Sequence, residues 1–285
     1  MKTYHETYIR KSEIAQLILL HRLYAQKESR HLIFQGGTAL RWCYGGSRFS
    51  EDLDFVTPLA SEDVQKILNA AVKGVEKLMI PHFGIGMVML KEKSAREDAL
   101  KYFMDFRPVG SREKISIKLE FEGLAPGKRP DIQNHVLSLL SPVAYLIAAG
   151  EFRVPRPNTI VVAQTPTEIF SDKVRALLER QYLKGRDFFD LWYLYSVLKM
   201  PVDVKIVERK FTLYRAPFVA ARTVDFFVRP SKQEEDMMRE SIEQDLSRFL
   251  PPDVLAVHQA QKYAPFLEVA RALFSEIEAK GVHLP

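Results

Sequence analysis

The chain has 285 residues, 47% hydrophobic and 27% charged, with 41 Lys and Arg against 36 Asp and Glu for a formal net charge of +5. That length and apolar content suffice for one large folded domain or two modest ones and exclude a disordered chain. The single cysteine, Cys43, excludes an intramolecular disulfide and a cysteine-based zinc site, and it reads as a small buried apolar residue in a reducing compartment.

In chain order, Ile14, Leu17, Ile18 and Leu20 recur at helical spacing, which predicts an amphipathic helix over residues 11–29. Residues 32–34 form a first strand that stops at Gly36-Gly37, and residues 38–44 suit a short helix ended by Gly45-Gly46. A second strand follows at 52–57. Ser61 and Asp63 then open a predicted helix through residue 79. Strand-like segments come next, at 85–90, 102–109 and 114–122. In the last of these Ile115, Ile117, Leu119 and Phe121 alternate with Lys118, Glu120 and Glu122, the pattern of a half-buried strand. A loop rich in Pro and Gly at 124–130, a further short segment and a proline-punctuated stretch lead to a strand at 159–163. Thr165-Pro166-Thr167-Glu168 reads as a helix start with Thr165 as N-cap and Glu168 closing a capping box. Beyond it the chain is predicted helical, at about 166–182, 187–199, 203–210, 232–249 and 264–279, with prolines between. The expected organisation is an α+β domain over residues 1–164 followed by a mostly helical domain over 165–285.

No apolar h-region occurs near Met1, and no apolar run approaches the roughly 18 residues of a membrane helix, so a cytoplasmic protein with no membrane partner is expected. The excess of positive charge leans mildly toward a polyanionic partner. The seven histidines show no metal-ligand spacing.

Chemistry concentrates between Gln35 and Phe55, where a strand ends in paired glycines and a second strand opens with Asp52-Leu53-Asp54. Paired glycines let the backbone approach a ligand closely, and a helix starting there aims N–H groups at an anion such as a triphosphate. In a strand, Asp52 and Asp54 point to one face with Cα atoms roughly 6.5–7 Å apart. Two carboxylates so placed suit hard cations such as Mg²⁺, which in two-metal sites lie roughly 3.5–4 Å apart. Each element has a plainer reading by itself: a strand-to-helix turn for the glycines, a solvated strand start for the aspartates. Their combination in order, with Arg48 and Ser50 between, is more specific. Farther on, Lys173 and Arg180 share one helix face, and Asp187 and Asp190 sit at i, i+3 on the next helix. These four equally suit a solvated cation face and a helix whose start Asp187 stabilises.

Gly36-Gly37-Thr38-Ala39-Leu40, Arg48-Phe49-Ser50 and Asp52-Leu53-Asp54-Phe55 resemble the first two motifs of the AbiEii/AbiGii toxin family of polymerase-beta-like nucleotidyltransferases. The stretches from Phe170 to Arg180 and from Gly185 to Trp192 are similar to that family's Lys motif and its Arg-Asp-x-x-Asp motif. The resemblance spans residues 35–192. It implies a polymerase-beta-like α+β core with a mixed sheet, followed by the helical domain. It implies Asp52, Asp54, Lys173 and Asp187 as catalytic residues, with nucleotide contacts from Gly36, Gly37, Thr38, Arg48, Ser50, Lys173 and Arg180. Asp52 and Asp54 would hold Mg²⁺, two ions being expected and Mn²⁺ an alternative. Superfamily sites use a third carboxylate from a neighbouring strand, for which Glu120 is the choice. Glu122 and Asp105 stay open as alternatives, and Lys118 is a candidate to pair with Glu120. The implied activity is NMP transfer from an NTP to an acceptor, tRNA by preference, by a toxin whose cognate antitoxin opposes it. Transfer to a protein hydroxyl, and non-catalytic nucleotide or RNA binding, are the alternatives.

Overall fold

In the computed structural model, which describes residues 4–96 and 98–282, the contacts divide the chain into two units, Thr7–Gln164 and Thr165–Pro285 with Met1–Glu6. The first unit holds a mixed seven-stranded sheet of order β3-β4-β5-β2-β1-β7-β6. Its strands are β1 (Ile33–Gln35), β2 (Asp52–Thr57), β3 (Gly86–Ala95), β4 (Ala99–Pro108), β5 (Ile115–Gly123), β6 (Ile132–Val136) and β7 (Ile160–Gln164). Around them lie α1 (Glu6–Tyr24), α2 (Gly36–Tyr44), α3 (Ser61–Val72), α4 (Val75–Phe83) and α5 (Ser141–Ala148).

Strand β2 runs antiparallel to β1 and parallel to β5, and these pairings bring Phe34, Phe55 and Phe121 into one row across three strands. The Phe55 and Phe121 rings stack 5.1 Å apart, the Phe34 ring lies 5.4 Å from Phe55, and all three are buried. Their contacts contribute about 0.5–1.5 kcal/mol per ring pair beyond the burial itself. Because side chains alternate along a strand, the intervening residues Gln35, Asp54 and Glu120 form the matching row on the other face.

Several sequence expectations shift. The helix predicted over 61–79 is two helices, since Gly74 takes a left-handed backbone (φ +87°) that ends α3 and restarts the chain as α4. Helix α1 begins earlier than expected and ends at Tyr24; it is buried continuously from Ser12 to Leu20, with Glu13 and Gln16 among the buried residues. Strand β3 extends to Ala95, its antiparallel pairing with β4 outweighing the polar sequence of 91–94. Helix α5 lies in a stretch the apolar periodicity left unassigned, although Pro142 stands at its first turn.

The second unit carries α6 (Pro166–Glu179), α7 (Gly185–Trp192), α8 (Val204–Leu213), α9 (Asp225–Val228), α10 (Lys232–Phe249), α11 (Pro252–Ala260) and α12 (Ala264–Ala279). Thr165 accepts from the Glu168 N–H at the start of α6, as its sequence predicts, while the Glu168 carboxylate pairs with Arg209 and Lys210. The helix expected over 187–199 starts at Gly185 and passes into a π turn at Tyr193–Val197. Trp192, partly exposed, packs its ring 5.4 Å from both Phe189 and Phe266, the packing role its sequence context suggests. Helices α9 and α11 are short and escaped the periodicity. No described helix is long and apolar enough to cross a membrane.

The aromatic row sets the register of the central strands, so Phe55→Ala is expected to lower the unfolding free energy by about 3–5 kcal/mol. Urea unfolding followed by far-UV circular dichroism measures it; a loss under about 1 kcal/mol contradicts a central role for the row.

Candidate active site

The turn from β1 into α2 begins with Gln35 in extended backbone and Gly36 in the left-handed region (φ +75°). A Cβ on Gly36 would lie 2.8 Å from Asp54 Oδ2, and one on Gly37 would lie 2.3 Å from Arg48 Nη2 and 3.2 Å from Ser50 Oγ. The two glycines therefore leave room for the side chains on either side of them, an aspartate and a guanidinium. Thr38 is buried at the start of α2, and its hydroxyl donates to the carbonyl of Asp52, which ties the helix to the first residue of β2.

Arg48 and Ser50, both buried, lie on the segment joining α2 to β2. Arg48 donates to the Phe49 carbonyl at 2.9 Å. From α1, Gln16 donates to the carbonyls of Ser50 (2.7 Å) and Glu51 (3.1 Å) and accepts from the Trp42 indole at 3.3 Å. Glu13 pairs with Arg41, whose guanidinium also donates to the Gly46 carbonyl at 3.2 Å. The motif reading missed Glu13 and Gln16. Their burial left no clear signal, because Glu13 and Gln16 sit on an amphipathic helix that also carries Arg10, Lys11, Ser12, His21 and Arg22. The result is an α2 N-terminus, with its positive dipole end, flanked by a held guanidinium and a hydroxyl, an arrangement suited to an anion.

On β2, Asp52 and Asp54 are half-buried while Leu53 and Phe55 turn into the core. The parallel pairing with β5 sets Glu120 beside Asp54 and Lys118 beside Asp52. One carboxylate oxygen from each of Asp52, Asp54 and Glu120 lies within 4.8 Å of the others. The other acids considered on sequence lie elsewhere. Glu122 is opposite Val56, and Asp105 is buried on β4 with Ser116 (2.6 Å), Lys114 (3.2 Å) and Lys91 (3.4 Å). Lys118 Nζ bridges Asp52 Oδ2 (3.2 Å) and Glu120 Oε2 (3.0 Å), and Lys101 holds the other Glu120 oxygen at 2.7 Å. Burial pushes the Glu120 carboxyl up, but the two lysines outweigh it and hold it below the usual range. For Lys118 burial likewise opposes the charge, and Asp52 and Glu120 prevail, raising its pKa. Three clustered oxygen donors are the ligand type a hard divalent cation takes, so the residues fit Mg²⁺ or Mn²⁺.

The second unit places Lys173, Asp187, Asp190 and Arg180 together. Lys173 Nζ lies 2.8 Å from Asp187 Oδ1 and 2.8 Å from Asp190 Oδ2, and Arg180 pairs with the other Asp187 oxygen. Lys173 and both aspartates are buried, so the solvated-face reading of Lys173 does not hold. Burial alone would raise the Asp187 carboxyl, yet Arg180 and Lys173 drive it far below the ordinary aspartate value. Nearby, burial and then Arg180 and Arg186 push Lys184 down to about 8. Gly185 opens α7 against α10, where a Cβ would meet Ile242 Cα at 2.2 Å, so only glycine permits that approach.

The depressed Asp187 pKa means its contribution to stability is present above the unfolded aspartate value of about 3.9 and is lost as pH falls through the lower folded value. Asp187→Asn, which takes the carboxylate from Arg180 and leaves Lys173 with Asp190 alone, is expected to cost about 3–5 kcal/mol at neutral pH and to flatten the acid limb of the stability profile. Chemical unfolding at stepped pH values tests it, and an unchanged acid limb counts against the ion cluster.

Residues 18–269 match the family model described as Nucleotidyl transferase AbiEii toxin, Type IV TA system. Among solved structures, the chain is similar to a candidate nucleotidyltransferase from H. pylori, at 17% identity and a TM-score of 0.57 over 98% of this chain and 100% of that one. It is also similar to JHP933 from Helicobacter pylori, at 16% identity and a TM-score of 0.52 over 98% of this chain and 96% of that one. No curated protein matches. The structural likenesses carry the fold, and the family match covers the turn, the carboxylates and the Lys173 cluster alike. The chain belongs to the AbiEii nucleotidyltransferase toxin family of type IV toxin–antitoxin systems.

Proposed function

We propose that the chain transfers a nucleoside monophosphate from an NTP to the hydroxyl of an acceptor, breaking the α–β phosphoanhydride bond and releasing pyrophosphate, with tRNA the favoured acceptor, using divalent metal held by Asp52, Asp54 and Glu120. The observation that carries this reading is the placement of those three carboxylates beside Gly36-Gly37 and the N-terminus of α2. An anion-binding turn and a cation-binding cluster next to one another suit a substrate that is a metal–triphosphate complex.

The triphosphate is taken by the α2 N–H groups at Gly36, Gly37 and Thr38, with the Arg48 guanidinium and Ser50 hydroxyl orienting it. Bound there, Mg²⁺ supplies charge neutralisation for the phosphates and acidifies the attacking hydroxyl. The protein's part is to hold the phosphates and the carboxylates in fixed relation, so most of the acceleration comes from positioning and electrostatics. Resemblance to the family's Lys and Arg-Asp-x-x-Asp motifs is the support for nucleotide-contacting roles of Lys173 and Arg180 and a catalytic role of Asp187. Family membership also supports a cognate antitoxin as partner. The net charge of +5 supports an RNA acceptor over a neutral one.

Incubation with each α-labelled NTP, Mg²⁺ and either tRNA or cell lysate tests the proposal. Label in RNA is the expected result, and label confined to protein moves the acceptor to a protein hydroxyl. Asp54→Asn is expected to reduce transfer by about 10²–10³-fold with the fold retained, the scale of losing a principal electrostatic contributor. If no NTP labels any acceptor, and Asp52→Ala with Asp54→Ala leaves cellular toxicity intact, the enzymatic reading is wrong.

A further inference from the structure

We infer that Lys118 is a placeholder cation for the divalent metal, holding Asp52 and Glu120 before the metal arrives and yielding their oxygens when it binds. This rests on the reading above, in which Asp52, Asp54 and Glu120 form the metal site.

Lys118 stands opposite Asp52 and two residues before Glu120, so its side chain rises from the same face of the sheet as the carboxylates. Its ammonium reaches one oxygen of each, at 3.2 and 3.0 Å, and its side chain is only 28% exposed. The three carboxylates repel one another, and the Lys118 ammonium offsets that repulsion at Asp52 and Glu120. An ammonium is a point charge with three donors and no acceptor, so it can satisfy carboxylates but cannot share their oxygens with a divalent cation at close range. Occupancy by the two cations is therefore antagonistic.

Lys101 is placed differently. It contacts Glu120 Oε1 at 2.7 Å, the oxygen that Lys118 does not touch, so it can keep Glu120 in position while Lys118 departs. Glu120 thus keeps one lysine partner in either state, whereas the Lys118 contact to Asp52 belongs to the metal-free state.

Replacing Lys118 by a neutral side chain should make the site bind metal more tightly, an outcome opposite to that of losing a ligand or a supporting contact. Mn²⁺ titrations of the full chain without nucleotide, followed by electron paramagnetic resonance of free Mn²⁺, read this directly. Lys118→Met is expected to bind roughly tenfold more tightly than wild type, equivalent to about 1.4 kcal/mol. In chelator its melting temperature is expected to fall below that of wild type, and Mn²⁺ is expected to raise it by more. Lys118→Gln, which keeps a polar end without the charge, should show the same tightening should Lys118→Met fold poorly. Lys118→Arg, retaining the charge, should not tighten binding. Folded Lys118→Met or Lys118→Gln with Mn²⁺ affinity equal to or weaker than wild type overturns the inference while leaving the metal site intact. Mn²⁺ binding that Asp54→Asn leaves unchanged, or no binding by wild type and Lys118→Met alike, overturns the metal site and the inference with it.

Discussion

The register of β2 between β1 and β5 is the constraint on which the candidate site depends. Phe34, Phe55 and Phe121 pair across the three strands on the core face, and that pairing obliges Gln35, Asp54 and Glu120 to align on the other. A slip of one residue would turn the aspartates into the core and the phenylalanines out of it, so burial of three rings enforces the alignment of the polar row. Hydrophobic packing thereby does the positioning that the acidic residues, which repel one another, cannot do for themselves.

Around this row, the chain compensates buried charge instead of avoiding it. In the first unit, Lys118 and Lys101 neutralise the carboxylates, and Glu13 with Gln16 of α1 holds the segment carrying Arg48 and Ser50. In the second, Lys173 bridges Asp187 and Asp190, and the fully buried Lys210 pairs with Glu168 and Asp172. Buried ion pairs contribute little net stability, because desolvation offsets much of their attraction. They do fix geometry, since a displaced partner leaves an uncompensated charge. The two groups differ in exposure. The carboxylates of Asp52, Asp54 and Glu120 are half-buried, whereas Asp187 is sealed and paired with two cations.

Backbone economy serves the same site. Gly36 and Gly37 stand where any Cβ would press on Asp54 or Arg48, so the glycines there answer to the contents of the site as much as to the turn. Gly185 does the equivalent for the entry into α7, where the backbone of α10 occupies the space. In the first unit the missing side chain makes room for charged groups, and in the second it makes room for the backbone of a neighbouring helix.

The sequence by itself determined the local chemistry of the turn: paired glycines between a strand and a helix, Asp-x-Asp at the next strand start, the alternation that put Glu120 on a polar face, and the Thr165 start of α6. These are legible because each depends on backbone conformation or on the period of a single element. The break at Gly74, the length of β3 and the short helices α5, α9 and α11 were not, because they depend on partners or on runs too short for a period to register. Only the tertiary structure decided that Glu120, and neither Glu122 nor Asp105, joins Asp52 and Asp54, and that Lys118 bridges two of the three. Those outcomes follow from the pairing of β2 with β5, a contact between residues more than sixty positions apart that no local pattern encodes.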